Sequence, residues 1–251
     1  MKISGFIIYI IACLALVSIP AGSALATADR DSDGLSDQDE VSLYYTLPDS
    51  ADTDGDGYSD GEELASGYSP HRPYYRLSQL DWDKDGLSDE AELFFHSDLR
   101  SIDSDNDGYD DYDEIEAGYS PVNPAADARL DKSLEIDLRA QELHYLVGGY
   151  YWKTFPVSTG KPSMPTPTGE YRIVNKSPKA WSSAYGLWMP YWLGLGTGRF
   201  GIHELPIWPS GYREGEDHLG KAVSHGCIRL GIGPAAYVYS RLSVGDRVLI
   251  R

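Results

Sequence analysis

The feature that most constrains this fold is a twelve-residue acidic pattern that occurs four times between residues 29 and 114. Each copy places carboxylates at positions 1, 3, 5, 9 and 12 and a glycine at position 6. The candidate ligand residues are Asp29, Asp31, Asp33, Asp37 and Glu40; Asp52, Asp54, Asp56, Asp60 and Glu63; Asp81, Asp83, Asp85, Asp89 and Glu92; and Asp103, Asp105, Asp107, Asp111 and Glu114.

This spacing suits Ca²⁺, which takes six to eight oxygen ligands. Alternate aspartates turn their carboxylates inward, the glycine permits a sharp bend, and the final glutamate supplies two oxygens. Without a cation, carboxylates this close would repel one another. Chance or a solvated acidic loop explains one copy, but it is a poor explanation for four copies with identical offsets. We therefore expect Ca²⁺ to be a structural ion in this region.

The loops also form a larger repeat whose unit is a pair of loops, because 51 residues separate Asp52 from Asp103 and Gly67 from Gly118. Pro48 would interrupt any helix that leads into the second loop, and the loops lie too close together in sequence for the two full helices of an EF-hand. The region resembles the thrombospondin type 3 repeats of exported bacterial proteins, with a dockerin-like arrangement as the alternative. That resemblance implies a loop-rich unit with short helices and bound Ca²⁺.

Two roles fit such repeats. They can form a rigid spacer or wall-binding arm, whose partner would be cell-wall glycan or an envelope protein. They can also form a calcium-gated regulator of the rest of the chain. Stiffening by bound cations needs no switch, which favours the spacer.

Charge changes sharply near residue 130. Residues 29–129 hold 29 acidic and 6 basic residues, whereas residues 131–251 hold 10 acidic and 14 basic ones. The acidic half would repel phosphates, so nucleic acid is excluded as its partner. We predict calcium-binding repeats over 29–121, a linker over 122–130 and a second domain over 131–251.

Residues 1–26 have the features of a secretory signal peptide. Lys2 precedes an apolar run over 6–17, and Ala24 to Ala26 offers a cleavage site, with 26–28 as a second choice. The sequence therefore predicts export to the periplasm or cell envelope, with no stable membrane insertion after cleavage; a retained anchor is the alternative. Because Cys13 leaves with the signal, Cys227 has no partner for an intramolecular disulfide.

Strand patterns dominate after the linker. Apolar and polar residues alternate over 134–138, and runs over 142–147 and 150–157 flank the hairpin signal at residues 148 and 149. Further strands are predicted over 169–174, 200–203 and 246–250, with one main helix over 234–242. The domain is therefore expected to be mostly β.

The candidate nucleophile of this domain is Cys227. A thiol attacks as the thiolate, so it needs a pKa lowered by a nearby imidazole or cation, and His225 and His203 are both candidates. Gly226 lets a substrate approach the backbone closely, and Arg229 lies on the same strand face, where it could hold a substrate carboxylate. A lone cysteine more often packs than reacts, but this combination favours a nucleophile.

The segment Ser224–Arg229 resembles the signature of the L,D-transpeptidase (YkuD-like) family, and the resemblance continues through 155–161, 165–169, 189–192 and 201–203. It implies a β-sandwich catalytic domain that needs no cofactor for catalysis. The implied site has Cys227 as nucleophile, His203 as base held by the backbone carbonyl of Glu204, His225 and Ser224 shaping the pocket, the N–H groups of Gly226 and Cys227 as the oxyanion hole, and Arg229 seating the donor.

The reaction implied by the resemblance acts on peptidoglycan stem peptides. A cysteine thioester forms on one stem, and an amine of a second stem takes the acyl group to give a 3→3 cross-link. With water as acceptor, the same site would be an L,D-carboxypeptidase or endopeptidase. A non-catalytic calcium-dependent wall-binding protein is the alternative outside the enzymes.

Two features depart from the family pattern. Glu204 adds a carboxylate beside His203, which we expect to raise the pKa of the imidazole. The polar 209–218 loop is longer than usual and could cover the site, with His218 as a structural or lid residue. The nearby aromatics, Trp188, Tyr191 and Trp192 among them, are expected either to contact substrate or to pack in the core.

Overall fold

A computed structural model describes residues 28–251. The predicted signal peptide therefore lies outside the described residues. Within them, no helix has the length and apolar character needed to cross a membrane.

Each acidic loop ends in a short helix that begins after the eighth loop residue. Ser36, Ser59 and Ser88 cap three of these helices by accepting a hydrogen bond from the N–H three residues ahead. The helices are α1 (Asp37–Asp39, continued by a π-helical turn over Glu40–Tyr44), α2 (Asp60–Ala65), α3 (Asp89–Phe95) and α4 (Asp111–Ala117), with a 3₁₀ turn over Leu77–Gln79. Single short helices after each loop fit thrombospondin-type repeats better than EF-hand helix pairs.

The π-helical turn explains a difference in length between the two repeat units. Five residues lead from Glu40 to the left-handed Tyr45, whereas four lead from Glu92 to the left-handed His96. A π turn takes up one extra residue within a helix. Downstream the units match again, since Arg76 lies over the ring of Tyr68 at 4.6 Å and Arg129 over the ring of Tyr119 at 4.7 Å.

The second half of the described chain forms a closed β-barrel. Its strand order is β1-β2-β3-β7-β6-β5-β4-β8, and most neighbours are antiparallel, although β1–β8 and β6–β7 are parallel. The elements are β1 (Lys132–Asp137), β2 (Glu142–Val147), β3 (Tyr150–Ser158), β4 (Gly169–Ser182), β5 (Leu187–Leu195), β6 (Phe200–Glu204), β7 (Ile228–Leu230), α5 (Pro234–Arg241) and β8 (Arg247–Ile250), with a 3₁₀ turn over Glu216–His218.

The predicted mostly β fold with one main helix is confirmed. The two sheets expected of a β-sandwich are joined here into a closed barrel. Strands β3 and β4 each pair with members of both sheets, so the two sheets join along these strands. The β4–β5 hairpin is longer than the sequence indicates, because the strand predicted over 169–174 continues to Ser182. Pro178 and polar neighbours mask the alternation there, and pairing with β5 stabilises the extension.

The repeats pack directly against the barrel. Leu87, Phe95 and Ile115 belong to the same buried hydrophobic cluster as the barrel strands, and the rings of Phe95 and Tyr150 lie 5.6 Å apart. Close beside them, Glu116 accepts hydrogen bonds from side chains of β3 and α5. The second repeat unit is therefore docked on the barrel. Repeats that served only as a free spacer arm would not need this contact.

Candidate active site and candidate calcium sites

Two parallel neighbours, β6 and β7, bring the predicted catalytic residues together. Their register pairs His203 with Arg229 and Ile202 with Ile228. Side chains of paired residues point to the same face, and residues two apart on one strand also share a face. Cys227, directly before β7, therefore lies on the face that carries His203 and Arg229.

The imidazole of His203 is fixed by its own strand. Its Nδ1 lies 2.5 Å from the carbonyl oxygen of Glu204. A carbonyl only accepts, so Nδ1 carries the proton and the Nε2 lone pair is free to accept one. The ring is buried and stacks on the indole of Trp192, with ring centroids 6.0 Å apart. Burial lowers the pKa of His203 to about 4, so the imidazole is neutral at pH 7.

Cys227 is a half-buried residue rather than a fully buried one. Burial raises the pKa of Cys227 above its ordinary value of 9.0, while the backbone N–H of Gly201 and the charge of Arg229 oppose that rise. The expected lowering of the thiol pKa is therefore wrong for the resting site. The thiol and the imidazole are therefore both neutral at pH 7, and the thiol must lose its proton when the sulfur attacks.

The segment before the thiol is held by short-range hydrogen bonds. The hydroxyl of Ser224 donates to the carbonyl of Cys227 at 2.6 Å and accepts from the N–H of Gly226 at 3.1 Å. Gly226 has φ +110°, which strains any other residue. Since the N–H of Gly226 is already bonded to Ser224, the two-donor oxyanion hole needs correction, and the N–H of Cys227 remains as its candidate donor.

Aromatic residues surround the site unevenly. The exposed ring of His225 stacks on Tyr185 at 4.7 Å, at the tip of the β4–β5 hairpin. On the same hairpin Trp188 pairs with Trp181 at 4.8 Å. The other two predicted contact residues pack elsewhere, because Trp192 is buried behind His203, and Tyr191 lies 5.6 Å from the ring of Tyr239 on α5.

The 209–218 loop closes on both catalytic strands through two ion pairs. Arg213 pairs with the buried Glu204, and the carboxylate of Glu214 lies 2.6 Å from Nη1 of Arg229. The expected effect of the Glu204 carboxylate on His203 is not observed, since that carboxylate binds Arg213; burial lowers the pKa of His203 more than the hydrogen bond to the Glu204 carbonyl raises it. His218 contacts Glu214 at 3.2 Å, as a residue of the loop rather than of the catalytic pair.

Three site residues were not singled out from the sequence. Gly201 brings its N–H to the thiol, and a side chain there would lie 2.2 Å from the carbonyl oxygen of Leu193. Thr166 donates to the carbonyl of Gly226 at 2.9 Å, and Glu214 binds Arg229. The first two lie within the segments 201–203 and 165–169, which carry the family resemblance, whereas nothing in the sequence pattern points to Glu214.

The acidic loops offer a donor set that fits a hard cation. Within each loop the carboxylates at positions 1, 3 and 5 have oxygens within 4.8 Å of one another. Buried oxygens that accept no hydrogen bond among the described residues occur at positions 3 and 12 of all four loops. These oxygens belong to Asp31, Asp54, Asp83 and Asp105 and to Glu40, Glu63, Glu92 and Glu114. Buried anionic oxygens with no donor are costly, and a bound Ca²⁺ would satisfy them.

The ninth-position aspartates accept hydrogen bonds within their own loops. Asp60 accepts from both the N–H and the hydroxyl of Thr53, and Asp111 accepts in the same way from Ser104. Asp37 and Asp89 accept from the backbone N–H at position 2. These carboxylates close the loops, and Asp60 also has an oxygen within 4.8 Å of oxygens of Asp33 and Glu40.

Comparison with known proteins supports both halves of the chain. The family model described as the L,D-transpeptidase catalytic domain (YkuD) matches residues 131–250, and the bacterial TSP3 repeat model matches residues 29–43, 52–67 and 103–118. The loop over residues 81–92 lies outside these three ranges, but it has the same carboxylate grouping at positions 1, 3 and 5 and the same buried oxygens at positions 3 and 12.

These matches define the class of protein: the barrel is a catalytic domain of the YkuD type. The chain belongs to the L,D-transpeptidase family. It is 30% identical over 139 residues to the YkuD protein of Bacillus licheniformis, a match that covers 55% of this chain and 77% of that protein. It is 30% identical over 114 residues to L,D-transpeptidase 1 of Mycobacterium tuberculosis, covering 40% of this chain and 42% of that protein.

Solved structures of L,D-transpeptidases are also similar. One from Mycobacterium smegmatis is 25% identical and has a TM-score of 0.43, with 49% of this chain and 59% of that chain covered. The chain thus spans somewhat less than two thirds of the length of that solved structure.

Proposed function

We propose that the protein forms 3→3 cross-links between peptidoglycan stem peptides, with Cys227 as nucleophile and His203 as general base. The observation that carries this proposal is the hydrogen bond from Nδ1 of His203 to the carbonyl of Glu204. It leaves Nε2 unprotonated on the face that Cys227 shares. Membership of the family and the motif Ser224–Arg229 support the same assignment.

Acylation begins as the Cys227 proton moves to Nε2 of His203. The sulfur bonds to the carbonyl carbon of the third stem residue, and the N–H of Cys227 stabilises the oxyanion. When the carbon–nitrogen bond breaks, the imidazolium returns the proton to the departing amine of D-Ala. The product is a thioester on Cys227.

In the second step the acyl group passes from Cys227 to an acceptor amine, and His203 again takes up and returns a proton. The amine of a second stem loses a proton to His203 and attacks the thioester, so an amide bond forms and the carbon–sulfur bond breaks. The proton returns to the sulfur, and the site is restored. Arg229, two residues beyond the thiol, is proposed to bind the carboxylate of the donor. Water in place of the amine would give hydrolysis.

We also propose that the acidic loops bind structural Ca²⁺ outside the cytoplasm, where the ion would satisfy the buried oxygens at positions 3 and 12. The docking of the second repeat unit on the barrel supports a role in stabilising the catalytic domain. We further propose that residues 1–26 direct export and that 29–121 and 131–251 are the two domains of the mature protein.

The test is incubation of the residue 27–251 protein with stem tetrapeptides, followed by mass spectrometry of the products. We expect 3→3 dimers from the wild type and none from Cys227→Ala. His144→Gln is a matched control, because His144 contacts Thr154 on the neighbouring strand β3 rather than the site. Tripeptides without dimers would show hydrolysis instead, and equal products from wild type and Cys227→Ala would refute the enzyme assignment.

A further inference from the structure

Arg229 is a buried cation whose charge acts on the thiol, and its ion-pair partner belongs to the 209–218 loop rather than to a barrel strand. Its side chain is 7% exposed, and that of Glu214 is 12% exposed. The N–O distance of 2.6 Å marks a charge-assisted hydrogen bond. Arg229 is therefore already neutralised by a carboxylate of its own chain in the free protein.

The guanidinium of Arg229 is not fully used by this contact. Its Nε is buried and has no hydrogen-bond partner among the described residues. A guanidinium binds a carboxylate best through two parallel N–H donors. Here the Glu214 carboxylate accepts a hydrogen bond from one of them, Nη1. A second carboxylate that reaches both Nε and a terminal nitrogen would bind Arg229 better than Glu214 does.

The 209–218 loop that supplies Glu214 is built differently from the barrel. All of its residues are exposed or half-buried, whereas all three residues of β7 are buried. Apart from Arg229, the contact of the Glu214 carboxylate is with His218 of the same loop. Glu214 can therefore release Arg229 by rotating its own side chain, while the neighbouring Arg213 keeps its ion pair with Glu204 on β6.

We infer that Glu214 is an internal substitute for the substrate carboxylate: it occupies Arg229 in the free protein and is displaced when an acyl donor brings its own carboxylate. This inference rests on the proposed function for the identity of the donor. It makes Glu214 a specificity-determining residue, because a donor without a carboxylate near the scissile bond gains nothing from displacing it. No covalent step is involved, and one ion pair is exchanged for another.

The exchange is tested by calorimetry on proteins that carry Cys227→Ala, so that binding is measured without reaction. The probes are a stem tetrapeptide that ends in D-Ala and the same peptide ending in D-alaninamide. In Glu214→Gln the fraction of protein with a free Arg229 rises, so the Kd of the acid should fall by roughly 3- to 10-fold. The Kd of the amide should not change.

Glu216→Gln is the matched control, because it removes the same charge from an exposed position of the same loop. It should leave both Kd values unchanged. Glu214→Asp keeps a charge near Arg229 in case the glutamine variant is unstable. Its shorter side chain should weaken the pair and lower the Kd of the acid by a smaller factor.

The inference is overturned when Glu214→Gln weakens binding of the acid, or changes acid and amide equally, since both results mean that Glu214 only supports the site. The proposed function is tested separately in proteins that retain Cys227. Loss of acyl-enzyme formation there would refute the enzyme assignment, while the acid-to-amide comparison would still decide the role of Glu214.

Discussion

Glu116, on the last helix of the repeats, accepts a hydrogen bond of 2.6 Å from the indole N–H of Trp152 on β3. Its carboxylate also accepts from the hydroxyl of Tyr237 at 2.9 Å and pairs with Arg241, both on α5. The hydrogen bonds and the ion pair lower the pKa of Glu116 despite its partial burial. One carboxylate thus joins the repeats to two elements of the barrel.

We therefore expect Glu116→Gln to lower the free energy of unfolding by about 2 kcal/mol, since hydrogen bonds to a charged group are lost. Chemical denaturation measures this loss. Glu90→Gln is the control at the same interface, where an exposed carboxylate accepts one bond of 3.3 Å from Tyr150. That variant should lose less than about 0.5 kcal/mol. Equal losses in the two variants would mean that Glu116 does not fasten the repeats to the barrel.

Calcium should reverse the effect of replacing the buried carboxyl group of Glu92. Both oxygens of Glu92 are buried without a donor among the described residues, and burial with nearby aspartates raises the pKa of Glu92 to about 9. In chelator at pH 7, Glu92→Gln should melt at or above the wild-type temperature, because folding no longer has to protonate a carboxyl group whose pKa is raised. In calcium it should melt lower, because a ligand is gone.

Thermal melting with and without Ca²⁺ measures this crossover. Asp113→Asn removes an exposed charge from α4 and should respond to calcium as the wild type does. A wild-type melting temperature that is the same in calcium and in chelator would remove the calcium proposal.

Removing the base should slow acylation without unfolding the barrel. We expect His203→Gln to lower the rate of acyl-enzyme formation by about a hundred- to ten-thousand-fold, the usual contribution of a positioned general base. Rapid-quench mass spectrometry measures the rate, and near-UV circular dichroism checks the packing around Trp192. His218→Gln, on the loop, should leave the rate within about threefold, because His218 lies outside the catalytic pair. A similar loss in both variants would argue against His203 as the base.

The protonation states predict a specific pH profile. Because burial raises the pKa of Cys227 above 9.0, direct alkylation by iodoacetamide should still accelerate as the pH rises past 9. Because the pKa of His203 lies near 4, acylation by the substrate should stay constant above about pH 5 and fall below it as the imidazole gains a proton. An alkylation rate that levels off near pH 6 would indicate a resting thiolate and contradict the neutral pair.

The sequence predicted the elements whose signals are local. Regular spacing identified the acidic loops, and one contiguous motif identified Cys227, while His203 followed from the resemblance. The carbonyl of Glu204 was expected to hold that imidazole, and the observed hydrogen bond agrees with the expectation. In each case the residues that act together are close in sequence or lie in a recognisable segment.

Relationships that depend on three-dimensional packing could not be predicted in this way. Glu214 and Arg229 meet because a loop without periodicity folds back over β7. Glu116 reaches Arg241 across 125 residues of chain. The raised pKa of Cys227 follows from burial, which motif and spacing do not report. The bond between Ser224 and the N–H of Gly226 competes with an oxyanion role and depends on local backbone geometry.

The central claim is that Cys227 carries the acyl group, and intact-mass spectrometry with peptide mapping tests it most directly. After mixing with a stem tetrapeptide and rapid acid quench, the wild type should gain the mass of the acyl tripeptide, located on the peptide that contains Cys227. Cys227→Ala should gain nothing. An unmodified Cys227 under conditions that acylate a known L,D-transpeptidase, or an adduct on another residue, would contradict the account.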